Sequence, residues 1–493
     1  MNYAIIRNLL GKIMTLLAYL MVLPLIICIW KKESFINYLA FLIPMILLFV
    51  IGRLLYIKKA ESNRILAREG FVIVGLSWII MALFGCMPYL ISGNMTNFFD
   101  AFFETASGFT TTGSSVVTDY STLDHSIMFW RSFAHWIGGM GVLVFILAII
   151  PESKEGSSMH ILRAESPGPQ VGKLVSKMRA TSRILYLIYL FLTVALILLL
   201  WLGPDKKMDF FNSMIYSFGT AGTGGFGIDN GNLETYARST QYIIATFMLI
   251  FAINFSMFYL ILIGNLREVF RNEELRTFLI IVFVSVTFIT LNVYFSFKDT
   301  LQAMNFEESF RHSYFQVASI ISTTGYSTTN FIKWPATSLM ILIFLTFTGA
   351  CAGSTAGGLK IARLNILAKS VVKKIKNMIS PRKVEVIKID GKSMTDESVS
   401  AVEGYLVVYV AVLLIGAFLI SFDGYDFATN FTASLTCLSN VGPGYTELIG
   451  PYGSFDIFSN FSKFVLSLLM IIGRLEFFPI LVLFSPRTWK KRV

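Results

Sequence analysis

Apolar runs long enough to cross a bilayer recur along this chain, and no other feature narrows its fold as much. Sparsely charged stretches occupy 13–30, 35–57, 70–92, 132–150, 184–203, 239–264, 277–297, 336–378 (interrupted), 401–422 and 460–484. Each can span about 30 Å of hydrocarbon, where every backbone polar group must be satisfied inside the protein. The expectation is an all-α integral membrane protein with about ten transmembrane helices. Only 14% of the 493 residues are charged and 55% are hydrophobic, against about 25% charged in a soluble domain. That excludes a soluble enzyme, and 45 Phe, 20 Tyr and 7 Trp exclude a disordered chain. The first run follows Arg7 and Lys12 as a signal peptide would, but it is 18 residues long and closed by Lys31 and Lys32. No small-residue cleavage site follows, so it is expected to stay as a span. Cysteines 28, 86, 351 and 437 stand singly, giving neither a disulfide framework nor a CxxC metal pair.

An even number of spans puts both termini on one side. With the N-terminus inside, the inner segments carry 30 of the 41 basic residues and the outer segments 10. This bias predicts that both termini are cytoplasmic. The net charge of +11 then belongs to a face beside anionic membrane lipid, and nucleic acid is not an expected partner.

Between alternate spans, always on the outer side, the chain repeats one unit. An aromatic segment (97–109, 208–219, 305–322, 425–438) is followed by a short glycine-centred strand. The strands are Thr111-Thr112-Gly113-Ser114-Ser115, Thr220-Ala221-Gly222-Thr223-Gly224, Thr323-Thr324-Gly325-Tyr326-Ser327 and Asn440-Val441-Gly442-Pro443-Gly444. Their central glycines are 109, 103 and 117 residues apart, which marks four copies of one unit. The fold expected is therefore four parallel repeats of span, half-helix, filter strand and span around a pseudo-fourfold pore, plus an N-terminal two-span element. The corresponding segments are 1–66, 67–175, 176–272, 273–395 and 396–493. Non-helical backbone at membrane depth survives only where it lines a watery path or meets an ion. Glycine reaches φ > 0 at little cost and lets successive carbonyls turn to a common axis, where a ring of them replaces a cation's hydration shell. The run Gly222 to Gly227 also satisfies GxGxxG, but no strand precedes it and no βαβ unit surrounds it.

Residues 349–358 (GACAGSTAGG) break the eighth span with small residues. Each glycine costs a helix about 1 kcal/mol relative to alanine, so the chain is expected to cross as a loop. Close helix packing through Gly349, Gly353 and Gly357 is the alternative. A phosphate-binding loop does not fit, because Lys360 falls one place late after Gly353 and Gly358. Arg474 is the one basic residue placed within a span, where an unpaired charge is costly. It is either a fixed positive charge beside the pore or the partner of Glu476 or Glu403. The four histidines form no ligand cluster, and His135 suits helix packing better than proton relay. Asp100 and Asp209 either draw cations to the mouth or cap half-helices.

The four strands, together with His135-Trp136-Ile137-Gly138-Gly139-Met140-Gly141, Gly349 to Gly358 and Gly473-Arg474-Leu475-Glu476, resemble the Trk/Ktr/HKT superfamily of potassium transporters over essentially the whole chain. The extra N-terminal pair of spans is similar to its TrkH branch. The resemblance implies one pore per chain, potassium as the transported ion with no bound organic cofactor, and Gly349 to Gly358 as an intramembrane gating loop. It also implies a homodimer in the bacterial inner membrane, controlled by a cytosolic nucleotide-binding subunit of TrkA type. Asn440 and Pro443 depart from the threonine and bulkier residue of a potassium filter. An ion-coupled carrier of a small solute is the alternative function, but carriers commonly show two inverted halves, whereas these four units start from one side. A membrane-embedded enzyme would need a clustered His, Asp or Glu constellation, which the sequence lacks. Coupling to protons or sodium is left open. The alternation at Val384 to Lys392, between spans eight and nine, is expected to form a short strand or hairpin that docks the cytosolic subunit.

Overall fold

The computed structural model describes residues 1–56, 67–141, 178–229, 232–298, 304–382 and 385–489. Helices α1 (Tyr3–Leu20) and α2 (Val22–Lys31) make one apolar run of 29 residues, and α3 (Phe35–Tyr56) returns across it. Their contact depends on two absent side chains. A Cβ on Gly11 would lie 2.6 Å from the Gly52 carbonyl oxygen, and one on Gly52 would lie 2.6 Å from Thr15 Oγ1. Lipid supplies little hydrophobic drive for helix pairing, so such backbone approach is what joins the pair.

The unit expected from sequence then recurs. Helices α4 (Ala67–Gly85) and α5 (Met87–Ser92) lead to the short α6 (Phe98–Phe109), an extended strand, and α7 (His125–Gly139). Next come α8 (Met178–Trp201), the short α9 (Phe210–Ala221) and α10 (Arg238–Phe251), with α11 (Phe255–Leu262) and α12 (Leu266–Arg271) after it. The third unit is α13 (Glu273–Phe297), α14 (Phe306–Ile321) and α15 (Ala336–Thr348), continued by α16 (Ile361–Ile379). After a hairpin of β1 (Lys388–Ile389) and β2 (Lys392–Ser393), the fourth is α17 (Asp396–Ile420), α18 (Phe427–Ser439) and α19 (Asn460–Arg474), followed by α20 (Phe478–Phe484).

Each short helix starts on a side-chain cap: Asn97, Asp209, Asn305 or Asp426 accepts from a backbone N–H of the first turn. Asp209 is thus a cap, whereas Asp100 sits inside α6 and pairs with Lys463 at 2.7 Å. The second long helix of each unit packs on the next unit's short helix: α7 on α9, α10 on α14, α15 on α18, and α19 back on α6. This cyclic order closes four units around one axis. Outer helices α8, α13 and α17 expose Phe191, Phe283 and Val407, an apolar exterior suited to lipid, and the chain is a multi-pass membrane protein.

Two expected spans are not straight. The 239–264 run bends by 91° between α10 and α11, and the 460–484 run by 119° between α19 and α20. At the first bend Asn254 caps the new helix through Ser256 N. At the second, Glu476 and Phe477 both adopt left-handed φ (53° and 67°). The 336–378 run breaks as expected, at Gly349, whose φ of 61° and ψ of −157° are open to glycine almost alone. The fourth expected span begins in α7, and its part from 142 to 150 lies outside the described residues. All four second helices therefore end at a matching point, at Gly139, Phe251, Thr348 and Arg474.

Gly52→Val should separate α1 from α3 and lower the melting temperature of the purified protein. Ion flux per folded molecule should be unchanged, because this pair lies outside the ring of four units. A melting temperature equal to wild type would contradict the packing role assigned to Gly52.

Candidate cation pathway

The short helices end identically in hydrogen-bond terms. Thr111, Thr223, Thr323 and Asn440 each donate their N–H to the carbonyl three residues back, at 3.2, 3.1, 3.0 and 3.3 Å. The following residues, Thr112, Gly224, Thr324 and Val441, each donate to the carbonyl five residues back, at 2.8–2.9 Å. The first member of each set is left-handed, with φ of 55°, 53°, 58° and 56°. The third, Gly113, Gly225, Gly325 and Gly442, has φ of 83°, 78°, 87° and 103°. Threonine in that region is strained by about 1–2 kcal/mol. Asparagine tolerates it better, which accounts for Asn440, whose side chain also donates to Thr112 Oγ1 and Met470 O at 2.9 Å.

This equivalence corrects one strand. Thr220 and Ala221 are the last residues of α9, and Gly222 is its C-cap with ordinary helical φ of −72°. The repeat-two strand is Thr223-Gly224-Gly225, three residues later than expected. Gly222 instead lets α7 approach, since its Cβ would lie 2.3 Å from the His135 carbonyl oxygen. Three of the four caps agree with the shift: Asn97, Asp209 and Asp426 each precede their unit's glycine by 16 residues when Gly225 is used, and Asn305 precedes Gly325 by 20.

The four glycines close a ring. A Cβ on Gly113 would sit 2.0 Å from Gly224 O, on Gly225 1.9 Å from Thr324 O, on Gly325 2.2 Å from Val441 O, and on Gly442 2.9 Å from Thr112 O. Each strand thus lays a carbonyl against the neighbouring strand's glycine, in the order one, two, three, four and back to one. No side chain fits at these points.

Behind the ring lie polar braces that the sequence did not disclose. Glu104, fully buried in α6, accepts from Arg131 Nε at 2.8 Å, Ser115 Oγ at 3.0 Å and Val116 N at 3.1 Å. Arg131 stacks its guanidinium over the Phe226 ring at 4.1 Å, linking units one and two. His135 Nδ1 lies 2.7 Å from Gly108 O. A carbonyl can only accept, so Nδ1 carries the proton and Nε2 accepts from Phe226 N at 3.3 Å. Tyr326 Oη donates to Phe226 O at 3.0 Å, joining units three and two. The packing role expected for His135 is what the geometry gives.

Beneath the ring, the segment between α15 and α16 contacts units two, three and four and is linked to unit one through Arg474. Gly357 N donates to Thr323 Oγ1 at 2.8 Å, and a Cβ on Gly357 would lie 2.4 Å from Ser439 O. Thr355 Oγ1 donates to Phe251 O at 3.2 Å. Phe255 N donates to Gly353 O at 3.1 Å. Arg474 donates to Thr355 O at 2.7 Å and to Gly138 O and Gly139 O at 2.6 and 2.7 Å. The loop leaves and returns through a narrow neck, with Leu359 N on Phe347 O and Lys360 N on Thr348 O at 3.2 and 2.9 Å. Gly349 and Gly358 meet in that neck, so these glycines serve the loop and not a continuous packed helix.

The two acidic residues considered as partners of Arg474 each pair with another basic residue. Glu476 pairs with Arg363, and Glu403 with Lys374 at 2.7 Å. Arg474 itself is half-buried, whereas three other basic residues, Arg131, Arg363 and Lys360, are buried. Glu104 and Glu476 offset the first two, and Lys360 Nζ donates to Ala356 O, which is how buried charge is tolerated. Sequence spacing carries no sign of these long-range pairs.

A multi-pass membrane protein whose four units bring extended backbone to one ring, with a loop below it, is built as a cation pathway. Residues 38–491 match the family model described as TrkH, cation transport protein. The Trk system potassium uptake protein TrkH of Escherichia coli K12 is 32% identical over the whole of both chains, and that of Halomonas elongata is 30% identical over the whole of both. The crystal structure of the potassium transporter TrkH from Vibrio parahaemolyticus is 28% identical, with a TM-score of 0.86 over 99% of this chain and 100% of that one. This chain belongs to the TrkH family of cation transport proteins, a family of transporters and not of enzymes.

Gly225→Ala places a methyl on the Thr324 carbonyl and should abolish discrimination among monovalent cations in vesicle flux. Thr220→Ala should leave discrimination as in wild type, because that hydroxyl turns back to Tyr216 O at 2.7 Å. The opposite pair of results would restore the Thr220-Ala221-Gly222 register.

Proposed function

We propose that this chain is the membrane subunit of a Trk-type system that takes up potassium through a selective, gated pore. The observation that supports it best is the closed ring of Gly113, Gly225, Gly325 and Gly442 against their neighbours' carbonyls. Backbone oxygens held there by four independent half-helices can replace the water around a potassium ion, and each half-helix directs its negative C-terminal end toward the same ring. The filter is Thr111 to Gly113, Thr223 to Gly225, Thr323 to Gly325 and Asn440 to Gly442. The chain divides into an N-terminal element at 1–66 and pore repeats at 67–175, 176–272, 273–395 and 396–493. It works as a homodimer in the inner membrane with both termini cytoplasmic, and the relatives' designation as parts of a Trk system supports a cytosolic partner of TrkA type. The hairpin at 388–393 supports a docking element in the expected segment; Val384 lies outside the described residues.

The loop 349–358 is the gate, and Arg474 holds it. The Arg474 guanidinium spans from the loop to the end of α7, so its charge opposes cation passage while it keeps the loop in place. Vesicles containing the wild-type protein should accumulate labelled potassium well ahead of sodium, and running the assay with and without a proton gradient reads coupling directly. Equal uptake of both cations, or uptake of a small solute instead, would contradict a potassium pore.

Deleting 349–358 should raise flux severalfold while the protein still folds, because the neck residues are already hydrogen-bonded to one another. Arg474→Ala should raise flux in the same direction. A folded deletion with wild-type flux would show that the loop is no gate.

A further inference from the structure

The gating loop has a second attachment, on the side away from the filter. Glu274, in the first turn of α13, is 5% exposed, and its Oε1 accepts from Ala352 N at 2.6 Å and from Ala362 N at 3.1 Å. Ala352 lies on the outgoing limb of the loop and Ala362 in the first turn of α16. One carboxyl oxygen therefore ties together both limbs at the base of the loop.

The start of α13 is in turn fixed by the cytoplasmic hairpin. Asp390, at the hairpin tip with φ of 48°, accepts from Glu273 N at 2.7 Å through Oδ1 and from Asn272 Nδ2 at 2.9 Å through Oδ2. Asn272 is the N-cap of α13. Glu273 pairs with Lys369 of α16, whose ammonium also donates to Lys388 O of β1 at 2.7 Å. The hairpin thus holds the two residues that immediately precede Glu274.

We propose that Glu274 is the positioning residue that keeps the intramembrane loop beneath the filter, and that the Asp390 hairpin sets where Glu274 stands. This rests on the gated-pore reading above. The physical reason is an imbalance of unmet hydrogen bonds. Ala352 and Ala362 are 7% and 6% exposed, so withdrawing Glu274 leaves two buried N–H groups without an acceptor. A buried unpaired donor is costly. In a released loop the same groups reach water in the pathway. Movement of the hairpin would therefore shift the loop toward release without touching the filter.

Cys351, beside Ala352 and 1% exposed, is a native reporter of that release. The test uses the full chain in phospholipid vesicles, with Cys28, Cys86 and Cys437 replaced by alanine. It measures the rate at which a cationic methanethiosulfonate reagent modifies Cys351, alongside monovalent-cation efflux. Glu274→Ala should speed modification by about tenfold or more and raise efflux. Glu274→Gln, which keeps an acceptor oxygen, should stay within about threefold of wild type. Asp390→Ala should speed modification in the same direction, and the double variant should be no faster than Glu274→Ala, since both act on one contact. A folded Glu274→Ala protein with the wild-type modification rate would overturn the proposal, as would a glutamine variant as fast as the alanine one. If Glu274→Ala does not fold, Asp390→Ala decides, and wild-type modification there overturns it. Cys351 modification reports loop movement whichever cation passes, so failure of potassium selectivity in the flux assay and failure of this proposal are separate outcomes.

Discussion

Backbone carbonyls cannot stand unpaired at membrane depth, and the whole molecule is arranged around four strands that place theirs there. The arrangement is possible because Gly113, Gly225, Gly325 and Gly442 have no side chain where the next strand's carbonyl arrives, at 1.9 to 2.9 Å from where a Cβ would be. The half-helices fix the height of each strand through a shared pattern of turn hydrogen bonds, and their caps fix where each half-helix begins. Braces such as Arg131, fixed by Glu104 and stacked over Phe226, and His135 with Phe226 hold one strand to the next from behind. They spend buried polar groups to make a rigid ring, and full hydrogen bonding is what makes such groups bearable in low dielectric.

The broken second helices follow from the same constraint. A straight continuation of α10, α15 and α19 would leave no room for the loop that joins α15 to α16. The breaks instead supply its contacts, with Phe251 O from the end of α10, Phe255 N from the start of α11 and Arg474 from the end of α19. Bends and loop are one feature. The loop is tied on its upper side to the units that bear the strands and on its lower side to Glu274, and the 388–393 hairpin holds the residue directly before Glu274.

Most of the architecture was legible because membrane solvent leaves few choices: apolar length gave the spans, and a glycine after each aromatic half-helix gave the fourfold unit. The repeat-two register was not, because Thr220-Ala221-Gly222 and Thr223-Gly224-Gly225 are both plausible strands and only hydrogen bonding separates them. The 16-residue spacing from cap to glycine shared by Asn97 and Asp426, and met by Asp209 only with Gly225, was the signal that could have chosen correctly, although Asn305 stands 20 residues before Gly325. The bends at Asn254 and Glu476 were hidden because an apolar run has the same composition whether straight or folded back. The pairs Arg131 with Glu104 and Arg363 with Glu476 join residues 27 and 113 positions apart, and no local pattern announces them.

A dehydrated cation should be held by the four strands in the register found here. Anomalous diffraction from crystals grown with thallium(I), a heavy monovalent cation close to potassium in size, locates it. The structure predicts a thallium peak on the pseudo-fourfold axis enclosed by Thr111 to Gly113, Thr223 to Gly225, Thr323 to Gly325 and Asn440 to Gly442. An intact ring with no peak inside it, or with thallium bound away from these strands, would contradict the claim.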